Sequence, residues 1–454
     1  MTVFRWFDDR LGLAAWTRTG LRKVFPDHWT FLFGEVALFC LVVLVLTGVF
    51  LTLFYVPDAT PVTYDGPYVP LHGARVSAAY RSVLELSFEV QAGLVMRQVH
   101  HWAALVFVAA IVVHLLRVFF TGAYRRPREI NWLIGIGLLT FALAMGITGY
   151  SLPDDLLSGT GLRIIYSAVL SIPFLGPWAA FLLFGGEFPT ETIVSRLFVF
   201  HIMLLPALLL GLVGVHLAVL WRQKHTQWPG GGATETRLVG KPFWPTQVFK
   251  STGLLLLTAA VLALMGGLLQ INPIWTYGPF DPTRVSAPSQ PDWYVGWLDG
   301  ALRLFPPWEV TLLGVTIPSP FIPGILLPGL AFGIMTLWPF LESWVTGDHR
   351  EHHLLERPRD APVRTAVGVA ALLLFVLLTL AAGNDVAAVI LRIPLEETTN
   401  LLRIAVVVVP VVGALVTYRV CVGLRRRDAA LRGRPRPGAT RLERNAAGGF
   451  DSEE

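Results

Sequence analysis

Apolar residues are grouped along the chain into eight long runs, separated by polar, proline-rich or aromatic connections. A bilayer core needs roughly 20 predominantly apolar residues, so the eight runs predict eight membrane-spanning helices. We name them spans A to H. Their predicted bounds are, in order, 31–55, 88–120, 131–150, 197–221, 252–271, 321–341, 366–382 and 401–424.

Spans B and D each contain two histidines. The longest uninterrupted apolar run of span B, 103–113, is too short to cross alone, so the crossing helix must include His100 and His114. Span D carries His201 and His216. Intervals of 14 and 15 residues put each pair on roughly one helix face, about 21–23 Å apart along the axis. Two such helices can hold two stacked metal centres, and neutral imidazole is a good axial ligand for haem iron.

Other roles are open to these histidines. One intramembrane histidine can simply hydrogen-bond a neighbouring helix, and zinc is an alternative metal, although it prefers four ligands close together rather than at two depths. His101, about 100° round the helix from His100, is expected to support that ligand or to pack. Four histidines in polar connections are expected to be solvated: His225, His349, His352 and His353.

Glycines in spans A and C repeat the histidine interval. Gly34 and Gly48 are 14 residues apart, and so are Gly135 and Gly149. Because a glycine lets a flat ring approach a helix backbone closely, we expect all four to contact haem. Close packing between helices is the alternative.

Two arginines flank the span B histidines. Arg97 precedes His100 by three residues, and Arg117 follows His114 by three. Arginine pairs with carboxylates in a bidentate fork, so both are candidates for binding haem propionates. For Arg117, an anchor that follows the positive-inside rule is nearly as good an explanation, whereas Arg97 lies at the outer side, where that explanation fails.

Lysine and arginine are concentrated in the connections B–C, D–E and F–G and after span H. The positive-inside rule then places both termini in the cytoplasm and makes spans B and D run from outside to inside. His100 is therefore expected to pair with His201 near the outer face, and His114 with His216 near the inner face.

The composition fits a membrane protein. Hydrophobic residues make up 54% of the chain and charged residues 15%, against about 25% charged in soluble domains; the mean hydropathy is +0.59. The net charge of +5 is spread over connections, so no nucleic-acid partner is expected. Two cysteines exclude a disulfide framework and a cysteine-ligated iron–sulfur cluster.

The connection between spans E and F contains the tetrapeptide Pro291, Asp292, Trp293, Tyr294. A long outer loop rich in proline and aromatic residues is more typical of a binding lid than of a linker. Asp292 is a candidate for accepting a proton from a bound donor. An aspartate in a turn would explain the tetrapeptide as well.

Together these residues resemble cytochrome b, the quinone-binding subunit of bc-type respiratory complexes, over about residues 28 to 425. Details of the sequence resemble the actinobacterial branch in particular. The motifs that carry the resemblance are FLFGE (31–35), TG (47–48), RQVHHW (97–102), RPREINWLIG (126–135), GYSLPDD (149–155), SGTGLR (158–163), SQPDWY (289–294) and ERPRDAPVRT (356–365).

The resemblance implies roles for the histidines. His100 and His201 would bind a low-potential b haem, and His114 and His216 a high-potential b haem. The outer quinol pocket would be formed by Tyr150, Gly161 and the tetrapeptide 291–294, with Asp292 and Tyr294 as catalytic groups beside Tyr150. Many members have glutamate at the position of Asp292.

At the inner quinone site the resemblance implies Lys250, and Glu35 is a further candidate for that site. Trp221 stands where mitochondrial members have a histidine, and Ser251 where they have an aspartate. Glu35 and His225 are therefore the candidates for inner proton uptake.

The expected fold is an all-α membrane protein with eight transmembrane helices. We expect a cytoplasmic surface helix in 1–27, without a cleaved signal peptide, a di-haem four-helix bundle in 28–225, a C-terminal four-helix lobe in 226–424, and a disordered cytoplasmic tail in 425–454.

The implied activity is that of a quinol:cytochrome c oxidoreductase subunit (enzyme class 7.1.1) in the cell membrane. It would oxidise menaquinol and send one electron to a Rieske iron–sulfur subunit. Further implied partners are a cytochrome c subunit, an aa3-type oxidase and a second copy of this chain. A di-haem membrane anchor and a transporter are alternatives. The anchor would explain the histidines but neither PDWY nor the second lobe. The transporter would predict broken helices and internal symmetry, and the sequence shows no repeat.

Overall fold

The computed structural model describes residues 3–284, 290–312, 314–432, 441–444 and 450–453. Within this part of the chain, eight helices are long and apolar enough to cross a membrane, so the predicted number is confirmed. We keep the names spans A to H for them. Their bounds are Trp29–Thr52, Gly93–Phe120, Glu129–Tyr150, Ile193–Gln223, Phe243–Leu268, Ile322–Thr346, Pro362–Ala381 and Leu395–Ala430.

Eight shorter helices lie before span A or in the connections between spans. They are Val3–Leu11, Leu13–Leu21, Ala78–Phe88, Leu156–Leu170, Gly176–Phe184, Ile274–Tyr277, Trp293–Leu304 and Asn384–Leu391. Short antiparallel pairs join Val24–Phe25 with Lys241–Pro242, Pro61–Thr63 with Arg75–Ser77, Val310–Leu312 with Val315–Ile317, and Arg441–Arg444 with Phe450–Glu453.

Span B begins at Gly93 rather than at residue 88. The helix Ala78–Phe88 ends first, and Ala92 has a left-handed φ of 63°, which an α-helix cannot continue through. An added Cβ on Gly93 would lie 2.0 Å from the carbonyl oxygen of Leu86. The chain therefore turns sharply here, and His100 lies closer to the start of the helix than the apolar pattern alone indicated.

Span D contains one wide π-helical turn, Phe200–Leu204, between Ile193–Val199 and Leu205–Gln223. Pro206 has no N–H to offer the preceding turn, and a wide turn is one way for a helix to accommodate this. His201 lies in the wide turn.

Span H extends beyond its predicted end at residue 424. The helix continues to Arg432, through a stretch that we expected to be disordered. Arginine, alanine and leucine are good helix formers, and Asp428 pairs with Arg359 at 3.0 Å. The rest of that prediction falls partly on 433–440, 445–449 and 454, which lie outside the described residues.

The main core forms where spans A to E meet. Span A packs on span B, span C on span D, and span E on both A and B, while spans G and H pack together with the helix Trp293–Leu304. The core residues are Ala37, Cys40, Leu41, Val99, Ala103, Phe107, Val108, Ala110, Ala142, Leu209, Leu262 and Tyr294. We call the end with His100 and His201 the outer end, and the opposite end the inner end, after the predicted orientation.

A buried ion cluster links spans F and G at the inner end. The Arg364 side chain, only 4% exposed, pairs with Glu342 at 2.7 Å and with Glu356 at 2.8 Å. Glu356 also binds Arg125 at 2.7 Å, and the Tyr124 hydroxyl donates to Glu342. The cluster ties both spans to the B–C connection.

Candidate functional site

The outer histidines face each other across the bundle. The ring centroids of His100 and His201 are 6.2 Å apart, with the ring planes at 70°. Metal–imidazole bonds of about 2.0–2.1 Å would place two axial rings roughly 6 Å apart. The separation therefore fits one iron atom between them.

The Nδ1 atoms of both rings are already engaged. His100 Nδ1 lies 2.9 Å from Thr47 Oγ1; His201 Nδ1 lies 3.2 Å from Thr148 Oγ1 and 3.1 Å from the Met145 carbonyl. Both threonine hydroxyls donate to their own helix backbone, so they accept from the imidazoles. Nε2 is left as the ligating nitrogen, an arrangement common for metal-binding histidines.

The four glycines lie against histidine rings. An added Cβ would lie 2.4 Å from His201 at Gly149, 3.1 Å from His114 at Gly34, 3.3 Å from His100 at Gly48 and 4.0 Å from His216 at Gly135. Each glycine of spans A and C thus faces one histidine of spans B and D. The protein atoms nearest to these four glycines belong to imidazole rings. Neither of the two roles that we predicted for the glycines, contact with haem or packing between helices, included this contact with the histidines.

The inner histidines have the same neighbours but fewer bonds. His114 lies within electrostatic range of His216, and within the described chain the Nδ1 atoms of both are buried without a hydrogen-bond partner. The backbone of Asn131 approaches His216 without reaching hydrogen-bond geometry. Within the described residues, the inner rings are therefore oriented by fewer hydrogen bonds than the outer rings.

Both flanking arginines are partly buried. Arg97 donates to the Asn272 carbonyl at 3.1 Å, and its buried Nε has no partner among the described residues. Arg117 lies over the Phe31 ring at 4.3 Å, and its Nε and Nη2 have no partner among the described residues. A buried guanidinium without a carboxylate is costly, so both fit the carboxylates of a bound haem.

A cavity of about 430 Å³ occupies the outer end. It is lined by groups from both predicted sites, so the histidine pair and the predicted quinol pocket open into one space. The polar residues on its wall include Arg97, His100, His101, Tyr150, Asp155, His201, Asn272, Asp292 and Tyr294.

Asp292 is held on two sides. His101 Nε2 lies 2.9 and 3.1 Å from its two carboxylate oxygens, and the Tyr294 hydroxyl donates to it at 3.2 Å. Tyr294 is buried against Gly146, where an added Cβ would be 2.5 Å from the hydroxyl oxygen. The Tyr150 hydroxyl is buried nearby without a partner among the described residues. Sequence reasoning missed the His101–Asp292 contact, for which the His100–His101 doublet was the only signal.

Three other residues predicted for the quinol pocket do not line the cavity at the outer end. Gly161 is 4.0 Å from the Tyr150 ring, whereas Trp293 is exposed. Neither they nor Pro291 belong to the described lining of the cavity.

Two aspartates that sequence reasoning did not select lie near this cavity. Asp155 is buried on its wall and caps the helix Leu156–Leu170. Burial raises the pKa of the neighbouring Asp154 carboxyl to about 6, against an opposing hydrogen bond from Ser77 and with the help of the Asp155 charge.

At the inner end, Glu35 accepts hydrogen bonds from Gln247 at 2.8 Å and from Ser251 at 2.7 Å. Lys250 does not join them; it pairs with Asp27 at 2.5 Å. The two residues predicted for one inner site therefore have different partners.

Three loop histidines are less solvated than expected. The His225 ring packs on Phe25 at 4.6 Å, and burial together with nearby Lys23, Arg128 and Arg117 lowers its pKa to about 4. His352 and His353 are partly buried, whereas His349 is exposed. Within the described residues no cluster of three or more potential metal ligands of the His, Cys, Asp and Glu types occurs, which leaves the zinc alternative without a site.

Residues 105–279 match the family described as cytochrome b (N-terminal)/b6/petB. A cytochrome bc1 complex cytochrome b subunit from Mycobacterium tuberculosis is 52% identical over 425 residues, which are 93% of this chain and 77% of that protein. The subunit of the same name from Streptomyces coelicolor is 48% identical over 427 residues, 94% and 78% of the two chains. A solved structure titled hyperthermophilic respiratory Complex III shares the fold, with a TM-score of 0.68 at 20% identity, and covers 92% of this chain and 100% of its own.

Proposed function

Because the chain belongs to the cytochrome b subunits of bc1 complexes, of the actinobacterial type, we propose that it oxidises a quinol in the cavity at the outer end. Two b-type haems, held by His100 with His201 and by His114 with His216, would supply a one-electron path from the outer to the inner end. The second electron leaves through a Rieske iron–sulfur subunit. A Rieske cluster needs two cysteines together with two histidines, and the two cysteines of this chain, Cys40 and Cys421, lie in different spans, A and H.

The shared cavity is the observation that carries this proposal. One space of about 430 Å³ reaches both the outer histidine pair and Asp292. A haem held by His100 and His201 would fill the part of this space between them. A quinol head would bind in the part beside Asp292, next to a proton acceptor and to the start of the electron path. A membrane anchor needs the histidines alone, so Asp292 and Tyr294 on the same wall favour quinol oxidation.

Oxidation of one quinol releases two electrons and two protons, and both protons leave at the outer face. Asp292 accepts one proton from a quinol hydroxyl. His101 and Tyr294 hold the carboxylate in position from two sides. Since aspartate is one methylene shorter than glutamate, this fixed position sets how close the carboxylate comes to the quinol. Tyr150, whose buried hydroxyl has no hydrogen-bond partner among the described residues, binds the quinol head from the other wall.

At the inner end, Glu35 with Gln247 and Ser251 takes up protons for quinone reduction. His225 is less suited to deliver protons, because its lowered pKa keeps the ring neutral near pH 7. Lys250, paired with Asp27, supplies positive charge at the mouth of that site.

The wider setting follows from the same proposal. The substrate is menaquinol, both termini are cytoplasmic, and the chain works in the cell membrane as a homodimer with a cytochrome c subunit and an aa3-type oxidase. Residues 28–225 form the haem domain and 226–424 the second lobe.

The test replaces Asp292 by asparagine and His101 by leucine in the assembled complex. A hydrogen bond to a charged group contributes about 1.5–3 kcal/mol, so H101L should lower quinol:cytochrome c turnover about 10- to 150-fold. D292N should lower it at least as far, and the double variant no further. The matched control is H72L, since His72 is an exposed histidine bonded to the Gly66 carbonyl.

Visible spectra separate this role from damage to the haem site. Unchanged spectra with lost turnover support the proton-acceptor role. Wild-type turnover in D292N contradicts it. An altered haem spectrum in H101L would mean that the residue acts through His100 instead.

A further inference from the structure

Spans A and C each carry a Thr-Gly pair at the outer end. The glycine of each pair faces one outer histidine, and the threonine before it, Thr47 or Thr148, accepts from Nδ1 of the same ring. At the inner end the residues before the two glycines are Phe33 and Ile134, which have no hydroxyl. The four glycines thus have different neighbours at the two ends: a hydroxyl-bearing residue precedes each outer glycine, and a residue without a hydroxyl precedes each inner one.

The threonines are oriented by their own helices. Thr47 donates its hydroxyl proton to the Val43 carbonyl at 2.7 Å, and Thr148 donates to the Ala144 carbonyl at 2.8 Å. Because each proton is committed to the backbone, the oxygen lone pairs point outward as acceptors. The hydroxyls are therefore fixed acceptors for imidazole N–H groups.

A hydrogen bond from Nδ1–H makes an imidazole a stronger electron donor to a metal at Nε2. A stronger donor favours oxidised iron over reduced iron, and hydrogen bonding around ligands is one of the means by which proteins tune a haem potential. The inner rings lack such an acceptor among the described residues.

We propose that Thr47 and Thr148 are positioning residues that lower the potential of the outer haem relative to the inner one. Electron flow from the outer to the inner end then follows from the Thr-Gly pairs at one end and the Phe-Gly and Ile-Gly pairs at the other. This inference rests on the proposed function, since it requires one haem at each histidine pair.

The experiment is a potentiometric titration of the purified complex with Thr47 replaced by valine, which keeps the shape and removes the hydroxyl. Loss of a hydrogen bond to a group whose charge changes shifts the one-electron equilibrium by about tenfold, or about 59 mV upward for the outer haem. The inner haem should not move. T148V should shift the outer wave in the same direction. Each outer ring has a backbone group as a second neighbour, the Met145 carbonyl at 3.1 Å from His201 and the backbone of Leu44 near His100.

Three further variants sharpen the test. Thr47→Ser retains a hydroxyl and should restore the potential, even if valine weakens haem incorporation. Thr140 lies in span C and donates to the Ile136 carbonyl, so T140V should shift neither wave. Ile134→Thr places a hydroxyl before Gly135 and should lower the inner wave.

The outcomes distinguish this inference from the proposed function. Two waves in the unmodified protein with no upward shift in T47V overturn the role of the threonines alone, as would equal shifts of both waves. A single wave in the unmodified protein overturns the proposed di-haem function first.

Discussion

The glycine series offers a graded test, because the four distances differ while the substitution is the same. Carbon atoms pack at about 3.5–4.0 Å. Alanine at Gly149 would place a methyl 2.4 Å from His201 Cε1, so the ring must move by roughly 1 Å. Alanine at Gly135 meets His216 at 4.0 Å, an ordinary contact.

Overpacking of this kind costs about 1–3 kcal/mol, and disturbing a ligand's support lowers metal affinity about 10- to 100-fold. G149A should therefore lose most outer haem, while G135A keeps both haems. Gly34 and Gly48, at 3.1 and 3.3 Å, should give intermediate losses at the inner and the outer haem respectively. The expected order of haem loss is Gly149, Gly34, Gly48, Gly135.

The assay is haem per chain in the purified complex, from reduced-minus-oxidised spectra, with the two haems resolved by their potentials. Gly253 in span E has no atom within 4 Å of an added Cβ, so G253A is the matched control and should retain both haems. Equal losses at Gly149 and Gly135, or a loss in the wrong haem, would refute the reasoning that each glycine makes room for one histidine ring.

Two further predictions concern stability. Removing one partner of a buried ion pair costs about 3–5 kcal/mol, so Arg364→Ala should sharply lower the thermal unfolding midpoint. The control is Arg350→Ala, which should change the midpoint little because the Arg350 side chain is 82% exposed. Similar midpoints in the two variants would show that the ion cluster does not join spans F and G. The pKa of Asp154 is raised from 3.8 to about 6, so the folded state binds more protons in that window and stability should fall as pH rises through it. That loss in the free energy of unfolding is about 3 kcal/mol at most, reached above pH 6. Asp154→Asn should abolish it. An unchanged pH profile of unfolding in the variant would contradict the raised pKa of Asp154.

Much of the fold could be predicted because membrane spans leave a strong local signal. Apolar length predicted the eight spans, and the 14- and 15-residue intervals with the charge pattern predicted that His100 would meet His201. The ends of the spans were harder. The positive φ of Ala92 and the wide turn before Pro206 depend on local geometry that an apolar count does not contain.

Contacts between a span and a distant segment outside the spans could not be predicted from spacing. His101 and Asp292 are 191 residues apart and meet only because the helix Trp293–Leu304 docks near span B. Lys250 turns to Asp27 for a similar reason, since the strand pair Val24–Phe25 with Lys241–Pro242 brings these segments together. Thr47 and Thr148 did leave a signal in the sequence, the repeated Thr-Gly pair. Its role could be interpreted only once the structure placed each threonine hydroxyl beside Nδ1 of a histidine.

The most direct test of the central claim is a potentiometric titration of the purified protein followed by its visible spectrum. The account predicts two one-electron b-haem waves of different potential, with the lower one lost in His100→Ala and the higher one lost in His114→Ala. A single wave, or no haem in well-folded protein, would contradict the claim that the paired histidines carry electrons between the two ends.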